Sequence, residues 1–518
     1  MTNLLNNKFF IVYFAPFLLG AFTILSFSPY NLTFINFISF SILLFLILNI
    51  KTKTKSYYRK KKSNRYFFDL GCAFGFGFFL LGNYWIVISL THDTMFTGLI
   101  PFALILIPLF LSLFFGLAIF LVGPFAEKNI SFILLFSLVF SLFEYLRGNI
   151  LTGFPWNLIS YTWSWSTESS QILSLIGTYS FSLLSITFFC IPFLFIKNKI
   201  LKKNIIILLF FIILFILNYS YGLHKISKTS YEFEENINVK IISPNLSLKD
   251  FNYQSEIQKL KRLIKISSPE KNKKTIFIWP EGIFYESNLQ NILHYQDLFL
   301  DEFSKNHLII LGINNFQNKK YFNSLVVLNN KLEILSVYNK VNLVPFGEFL
   351  PFEEILSKFG LKKITYGYNS FSAGDSRSLI NLGKQFNEKL ILPLICYEII
   401  YSGKIKSKKQ KPNLAVNISE DAWFGKSIGP YQHYTKAIYR AIEEGIFIAR
   451  SANSGISGFI DPNGKSLKLL NISESGNLEY KMPKFSGTTF FSEYGNKILF
   501  LISFLYIFLI LILKKFKI

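Results

Sequence analysis

The sequence predicts an α-helical membrane domain of several spans joined to an α/β domain, and three observations predict it. Apolar runs long enough to cross about 30 Å of hydrocarbon recur through the first 221 residues and once more near the end. Basic segments separate these runs so that their charge collects on one side. Between the last two runs, short strand-like apolar segments alternate with helical ones. The bulk composition agrees: 51% of the 518 residues are hydrophobic and the mean hydropathy is +0.37, as suits a chain that uses lipid as part of its solvent. Sixty phenylalanines against three methionines indicate a composition bias, so the abundance of Phe carries no functional weight.

The apolar runs lie near 9–27, 33–50, 67–90, 96–123, 130–146, 172–196, 204–221 and 497–513, eight in number. The first has Lys8 at its flank and no small-residue cleavage pattern, so it reads as an uncleaved signal anchor. The fifth is short and closes on Glu144 and Arg147. The loop 51–65, "KTKTKSYYRKKKSNR", holds eight Lys or Arg and no acid; "KNKILKK" at 197–203 and the closing "KKFKI" are also basic. The positive-inside rule makes their side the cytoplasm and puts 222–496 on the opposite face. Residues 1–221 are therefore expected to form a membrane domain of seven helices, 222–496 the exposed domain, and 497–518 an eighth helix with a short tail. The densest basic runs are juxtamembrane, where anionic headgroups attract them, and no groove-reading motif accompanies them, so nucleic acid is not an expected partner. No internal repeat is evident, and the acids and bases sit mostly outside the spans, which argues against a transporter.

Within the exposed domain, "INVKIIS" (237–243) reads as a strand and 253–266 as an amphipathic helix. "TIFIW" (275–279), a helix near 290–304 and "HLIILGI" (307–313) follow. "YFNSLVVL" (321–328) and "KLEILSVY" (331–338) flank Asn329-Asn330, a hairpin signal. Then come "KLILPLI" (389–395), "NLAVNI" (413–418), a helix near 432–444, and a closing hairpin from "GIFIARSA" and "GISGFIDPNG". Strands buried on both faces with helices outside are implied, but periodicity does not separate one sheet from two stacked sheets.

Three polar residues come at or just after the end of a buried strand: Glu281 after "TIFIWP", Lys340 after "ILSVYN" and Cys396 after "ILPLI". Strand ends are where side chains converge on a pocket held by a rigid scaffold. Cys396 can be core filler or a nucleophile; its domain offers it no partner cysteine. Glu281, beside Trp279 and Pro280, can be a solvated strand end or a partly desolvated general base. Lys340 can be one surface lysine among many, or a buried ammonium that orients the carboxylate and neutralises charge on an acyl oxygen. His92, His224, His294, His307 and His433 show no metal-ligand spacing, so no metal is expected, and none lies near Cys396 in sequence.

At this point "WPEG" (279–282), "YNKVNLVPFGEFLP" (338–351), "ICYE" (395–398) and "NISEDAWFGKSIGPYQH" (417–433) together resemble apolipoprotein N-acyltransferases, the membrane-embedded branch of the nitrilase superfamily. "FSPY" (27–30), "GNYWIVIS" (82–89) and "EYLRGNILTGFPWN" (144–157) are similar to that family's membrane segments, so the likeness spans nearly the whole chain. The resemblance implies a nitrilase-like αββα sandwich on a helical membrane base. It implies a Glu-Lys-Cys triad at Glu281, Lys340 and Cys396, with Glu348, Tyr397 and Glu398 in support. Two stretches depart from the family pattern: Lys249-Asp250-Phe251 in place of a Lys-Trp pair, and Glu420-Asp421 in place of Asn-Asp.

The implied reaction moves a fatty acyl chain from a phospholipid, with phosphatidylethanolamine as donor, through a Cys396 thioester. The acceptor is the N-terminal amine of a diacylglyceryl-cysteine apolipoprotein. No cofactor is implied, and the expected protein is a monomer in a bacterial inner membrane with its catalytic domain facing the periplasm. Candidate lipid or loop contacts are Arg147 as a phosphate ligand or interfacial anchor, Trp156 in the interface belt, Trp423, and Phe346 in an aromatic segment, 343–368, that also holds Phe349, Phe352, Phe359, Tyr366 and Tyr368. The rivals are a membrane-tethered amidohydrolase, in which water resolves the thioester, and a non-enzymatic transporter or receptor.

Overall fold

The computed structural model describes residues 7–53, 57–196, 201–247, 254–356, 358, 370–405 and 410–516. Lys249-Asp250-Phe251, and Phe359, Tyr366 and Tyr368 of the aromatic segment, lie outside the described residues. The chain divides into two compact units: Met1–Val87, Thr97–Lys228 and Glu493–Ile518 form one, and Ile88–Phe96 with Thr229–Ser492 the other. The longer stretch of the second unit starts at Thr229, where the helix Lys202–Lys228 ends.

In the first unit, seven helices among the described residues are long and apolar enough to cross a membrane: Ile35–Lys53, Ser63–Thr91, Thr94–Phe125, Ile130–Arg147, Leu173–Phe195, Lys202–Lys228 and Lys497–Lys515. The run expected at 9–27 becomes a shorter apolar helix, Phe10–Ser26, so the count of long spans is seven rather than eight. Pro29 stands just beyond it, where a helix cannot continue. The parity of the basic segments is unaffected, because they are separated from one another by later spans. Small residues let these helices approach: a Cβ on Gly20 would fall 1.9 Å from the Phe74 carbonyl oxygen, and one on Gly77 2.1 Å from that of Phe17.

Arg147 and Trp156 are both buried inside this unit. Arg147 is 2% exposed, donates from Nη1 to the Phe154 carbonyl and from Nη2 to that of Asn157 (3.3 Å), and lies over the Phe79 ring. Its guanidinium thus fixes the loop after its own helix rather than waiting at the headgroups. Trp156 is fully buried, 4.6 Å from the Trp85 ring and stacked on Phe154.

Among the described residues the second unit has thirteen strands: β1 (Phe233–Ser243), β2 (Lys274–Ile278), β3 (Phe284–Asn288), β4 (His307–Gln317), β5 (Lys320–Asn329), β6 (Ile334–Asn339), β7 (Ile380–Asn381), β8 (Leu390–Ile395), β9 (Leu414–Glu420), β10 (Ile448–Asn453), β11 (Ser457–Ile460), β12 (Ser466–Leu470) and β13 (Gly476–Pro483). One sheet runs β13-β1-β2-β4-β5-β6 with β3 also on β4, and the other runs β12-β11-β10-β9-β8-β7. Alternation along the strands explains the layers. Val239, Ile241, Ile278, Ile310 and Val327 face Ile391, Ile395, Val416 and Ile418 of the second sheet in one core. Ile242, Phe277, Ile309, Leu311 and Val326 point the other way, onto Leu260 and Leu263 of the helix Glu256–Ser267 and onto Phe299 and Phe303. The helix Gly429–Glu444 belongs to the second sheet's outer side: a Cβ on Gly464 would meet its Ile442 and Ile438. The result is the αββα sandwich.

The hairpin signal at Asn329 is realised: its side-chain oxygen accepts from the backbone of Lys331 and Glu333. The helix expected over 290–304 is two, Leu289–Leu293 and Gln296–Glu302. β12 and β13 were not anticipated, and β13 returns from one sheet to pair antiparallel with β1 of the other.

Ile310 is fully buried between the sheets, so Ile310→Ala should cost about 2–5 kcal/mol. A lowered thermal midpoint in the detergent-solubilised protein, beside an unchanged Leu335→Ala control at a 51% exposed site, checks it.

Candidate active site

Glu281, Lys340 and Cys396 stand just past the ends of β2, β6 and β8, and the stacking of the sheets brings these ends together. Trp279 continues β2 by donating its backbone N–H to the Ile310 carbonyl (2.8 Å). The chain then turns at Gly282, whose φ of +79° favours glycine and whose Cβ would meet Glu420 at 3.0 Å. That turn aims Glu281 inward, where it is 7% exposed. Lys340 extends the β5–β6 ladder, its N–H donating to the Asn323 carbonyl (2.9 Å), and its side chain is 1% exposed.

The Lys340 ammonium lies 2.9 Å from Glu348 Oε1 and 3.4 Å from Glu281 Oε1. Asn323 Nδ2 donates to both of those oxygens at 2.6 Å, so one amide and one ammonium bridge two carboxylates. The remaining oxygens are also satisfied: Glu281 Oε2 accepts from the Glu420 N–H (3.1 Å) and Glu348 Oε2 from the Val344 N–H (2.9 Å). Burial opposes the charge on Lys340, but the two carboxylates outweigh it and raise its pKa. Burial pushes the Glu281 carboxyl up, with Lys340 pulling it back and Glu348 adding to the rise.

Cys396 is partly exposed and sits at φ +48°, a strained conformation for a residue with a Cβ, where β8 breaks into the 3-10 turn Cys396–Ile400. Burial, then the nearby Glu281 charge, push its thiol up, against the pull of Lys340. Its resting form is therefore the neutral thiol, and any nucleophilic role needs a base. The turn is held by Glu398, which is not in reach of the thiol chemistry by its contacts. Its Oε2 caps the Ile395 N–H (2.9 Å), while Oε1 accepts from Tyr338 Oη (2.7 Å), the Val341 and Asn342 N–H groups (2.9 and 3.2 Å) and Arg377 Nη2 (2.8 Å). Glu398 thus ties the cysteine turn to the segment that follows Lys340. Tyr397, 8% exposed, packs edge-on against Tyr401.

Below the turn, His433 Nε2 lies 3.3 Å from the Cys396 carbonyl oxygen, which can only accept. Nδ1 lies 3.1 Å from Asp421 Oδ1 and 3.0 Å from Arg450 Nη2. Arg450 also pairs with Asp421 (2.7 Å), which holds the Asp421 carboxyl well below its usual range despite burial. Burial and Arg450 lower the His433 pKa to about 4, so the ring stays neutral. His433 thus contacts the backbone of Cys396, not its thiol.

Among the candidate lipid contacts, Phe346 is 50% exposed at φ +61°, Phe352 is 75% exposed, and Trp423 packs edge-on against His92. Sequence reading missed Asn323, Arg377 and Arg450. For Asn323 a signal existed, a polar side chain in the middle of the apolar run "YFNSLVVL"; Arg377 lies in a segment without periodicity and gave none.

Removing Arg377 leaves Glu398 buried without its cation, so Arg377→Ala should cost about 3–5 kcal/mol in a denaturation midpoint, whereas the exposed Lys273→Ala should leave it near wild type. His433 has a folded pKa below its ordinary 6.5, so the unfolded chain takes the proton first. Stability then falls as pH drops from 6.5 toward about 4, by at most about 1.4 kcal/mol per unit from this group, and His433→Gln should flatten that part of a midpoint-versus-pH curve.

Comparison with known proteins bears on the whole chain. Residues 19–191 match the family model of the apolipoprotein N-acyltransferase N-terminal domain, and 299–478 that of carbon-nitrogen hydrolases. An apolipoprotein N-acyltransferase of Bradyrhizobium diazoefficiens is 30% identical over 92% of this chain and 90% of its own. One of Rickettsia prowazekii is 33% identical over 82% of this chain and 85% of its own. Among solved structures, a CN-hydrolase superfamily protein from Xanthomonas campestris covers 48% of this chain and 91% of its own at 13% identity, with a TM-score of 0.35. Near full-length similarity at this level, joined to the seven spans and the sandwich, makes this chain a multi-pass inner-membrane enzyme with a periplasmic catalytic unit, and it belongs to the apolipoprotein N-acyltransferase family.

Proposed function

We propose that Cys396 carries a fatty acyl chain between two lipids, with Glu281 as general base and Lys340 as the electrostatic stabiliser. The observation that carries this reading is the convergence of a neutral thiol, a buried carboxylate and a buried ammonium at three strand ends. Glu281 accepts the thiol proton as Sγ attacks the ester carbonyl of a phospholipid, phosphatidylethanolamine being the expected donor. The C–O bond breaks, the proton passes from Glu281 to the departing lysophospholipid oxygen, and a thioester remains. The uncharged N-terminal amine of a diacylglyceryl-cysteine apolipoprotein then attacks that thioester. Its proton goes to Glu281, the C–S bond breaks, and the proton returns to the thiolate. Lys340 offsets the negative charge of each tetrahedral intermediate.

Glu348 holds the ammonium together with Glu281, and Glu398 and Tyr397 hold the cysteine turn. Phe346 and Phe352 flank Glu348 in sequence and are exposed, which suits contact with acyl chains; Trp423 is a further candidate. Exposing an acyl chain to water costs about 0.8 kcal/mol per CH₂, so a soluble version of this sandwich would face a large barrier to substrate entry. Anchoring by the membrane unit removes the need to extract the chain.

Incubation with phosphatidylethanolamine alone should add one acyl mass to the peptide containing Cys396. Glu281→Gln should slow its appearance by about 10²–10⁴-fold, and Cys396→Ser should abolish the thioester. Addition of a diacylglyceryl peptide should discharge the acyl group onto the peptide amine. Free fatty acid released at the same rate with and without peptide would instead mean hydrolysis.

A further inference from the structure

The first unit contains an acid near the basic end of a long apolar helix, and its surroundings point to a ligand. Asp69 lies six residues into the span Ser63–Thr91, one turn after Arg65. Among the described residues its partners both address Oδ2: the Tyr13 hydroxyl donates to it at 2.8 Å, and Arg65 Nε lies 3.7 Å away. An acid in a membrane helix is costly and is retained where something pairs with it.

Asp69 lines a cavity of about 370 Å³ with Tyr13, Phe14, Phe17, Phe76 and Leu109. That is within the range of small-molecule sites, about 300–1,000 Å³. The cavity has a structural cause. The helix Phe10–Ser26 approaches the span Ser63–Thr91 backbone to backbone at Gly20 and Gly77, and Phe14, Phe17 and Phe76 line the groove nearer its start. It opens to the surroundings, since Phe14 and Leu109 are 46% and 47% exposed, and both belong to apolar helices whose outward faces meet lipid if they span the membrane. At its charged end, Arg65 is 81% exposed and Lys8 lies over the Tyr66 ring at 4.3 Å.

We infer that this groove holds one acyl chain of a phospholipid whose headgroup carries a primary ammonium. The apolar wall takes the chain, Asp69 Oδ1 accepts from the ammonium, and Arg65 and Lys8 meet the phosphate. A quaternary ammonium has no N–H to give, and a headgroup with a phosphate but no ammonium leaves the carboxylate facing like charge. The basic end of this span is cytoplasmic, so the lipid comes from the leaflet opposite the catalytic unit. It is therefore a bound structural lipid and not the acyl donor, and the inference stands whether or not the proposed chemistry does.

The test uses the full chain in nanodiscs of phosphatidylglycerol doped with phospholipids carrying a photoactivatable group in the acyl chain, with labelled peptides mapped by mass spectrometry. The ethanolamine lipid should label the peptides around Phe14 and Phe76 at least about fivefold more than the choline lipid. Ala73→Trp, which fills the groove, should bring that labelling down to the choline level, and Asp69→Asn should equalise the two lipids. Leu109→Trp serves if Ala73→Trp does not fold, as judged by helix content and elution. Equal labelling by both lipids in the wild type means unselective boundary lipid and overturns the inference. Preferential labelling by a phosphatidylglycerol probe overturns it too, in favour of an anionic lipid held by Arg65 and Lys8.

Discussion

A lysine that is 1% exposed can keep its charge only if the protein replaces the water it has lost, and the arrangement around Lys340 follows from that requirement. Two carboxylates at 2.9 and 3.4 Å do so, and each needs the ammonium as much as it needs them, because Glu281 and Glu348 would otherwise repel across a shared amide. The three charges and Asn323 therefore form a unit that is stable only when complete. Within it Glu281 is drawn in opposite directions, toward holding a proton by burial and away from it by Lys340. A carboxyl so balanced suits a group that must take up and return a proton in each half of the proposed reaction.

The cysteine is fixed independently of this charge cluster. Its positive φ stores strain of about 1–3 kcal/mol, which persists only where neighbours over-determine it. Glu398 supplies one constraint, joining the turn's preceding N–H to the segment after Lys340 and to Arg377; His433 supplies another at the Cys396 carbonyl. Because Glu398 binds both the cysteine turn and the lysine segment, a shift of either is resisted by the other. Placement of the thiol and placement of the ammonium are one mechanical problem with a single buried carboxylate at its centre.

The membrane unit follows the same economy with fewer polar groups. Arg147 and Glu144, buried at the end of one span, are paired to the backbone of the loop that follows them: Glu144 Oε1 accepts from the Ile159 N–H, and Arg147 donates to two carbonyls. Charged residues at a span end read from sequence as lipid contacts or anchors, but in a chain with a compact helical bundle the loop backbone is the nearer partner, and its carbonyls need donors once water is excluded.

The sequence by itself determined the spans apart from the first, their orientation, the αβ alternation of the second unit, and the three strand-end residues, because each is a local property: hydropathy, charge asymmetry, period, and position after an apolar run. Glu281, Lys340 and Cys396 were legible for that reason, and so was their grouping through family resemblance. Periodicity left open whether two sheets stack, which only the resemblance implied; the tertiary structure alone decided that β13 crosses back to β1 and that Asn323, Arg377 and Arg450 join the site. Alternation of side chains tells which face of a strand is buried but not what it is buried against, and a buried ion pair between residues far apart in the chain leaves no trace in the periodicity of either segment.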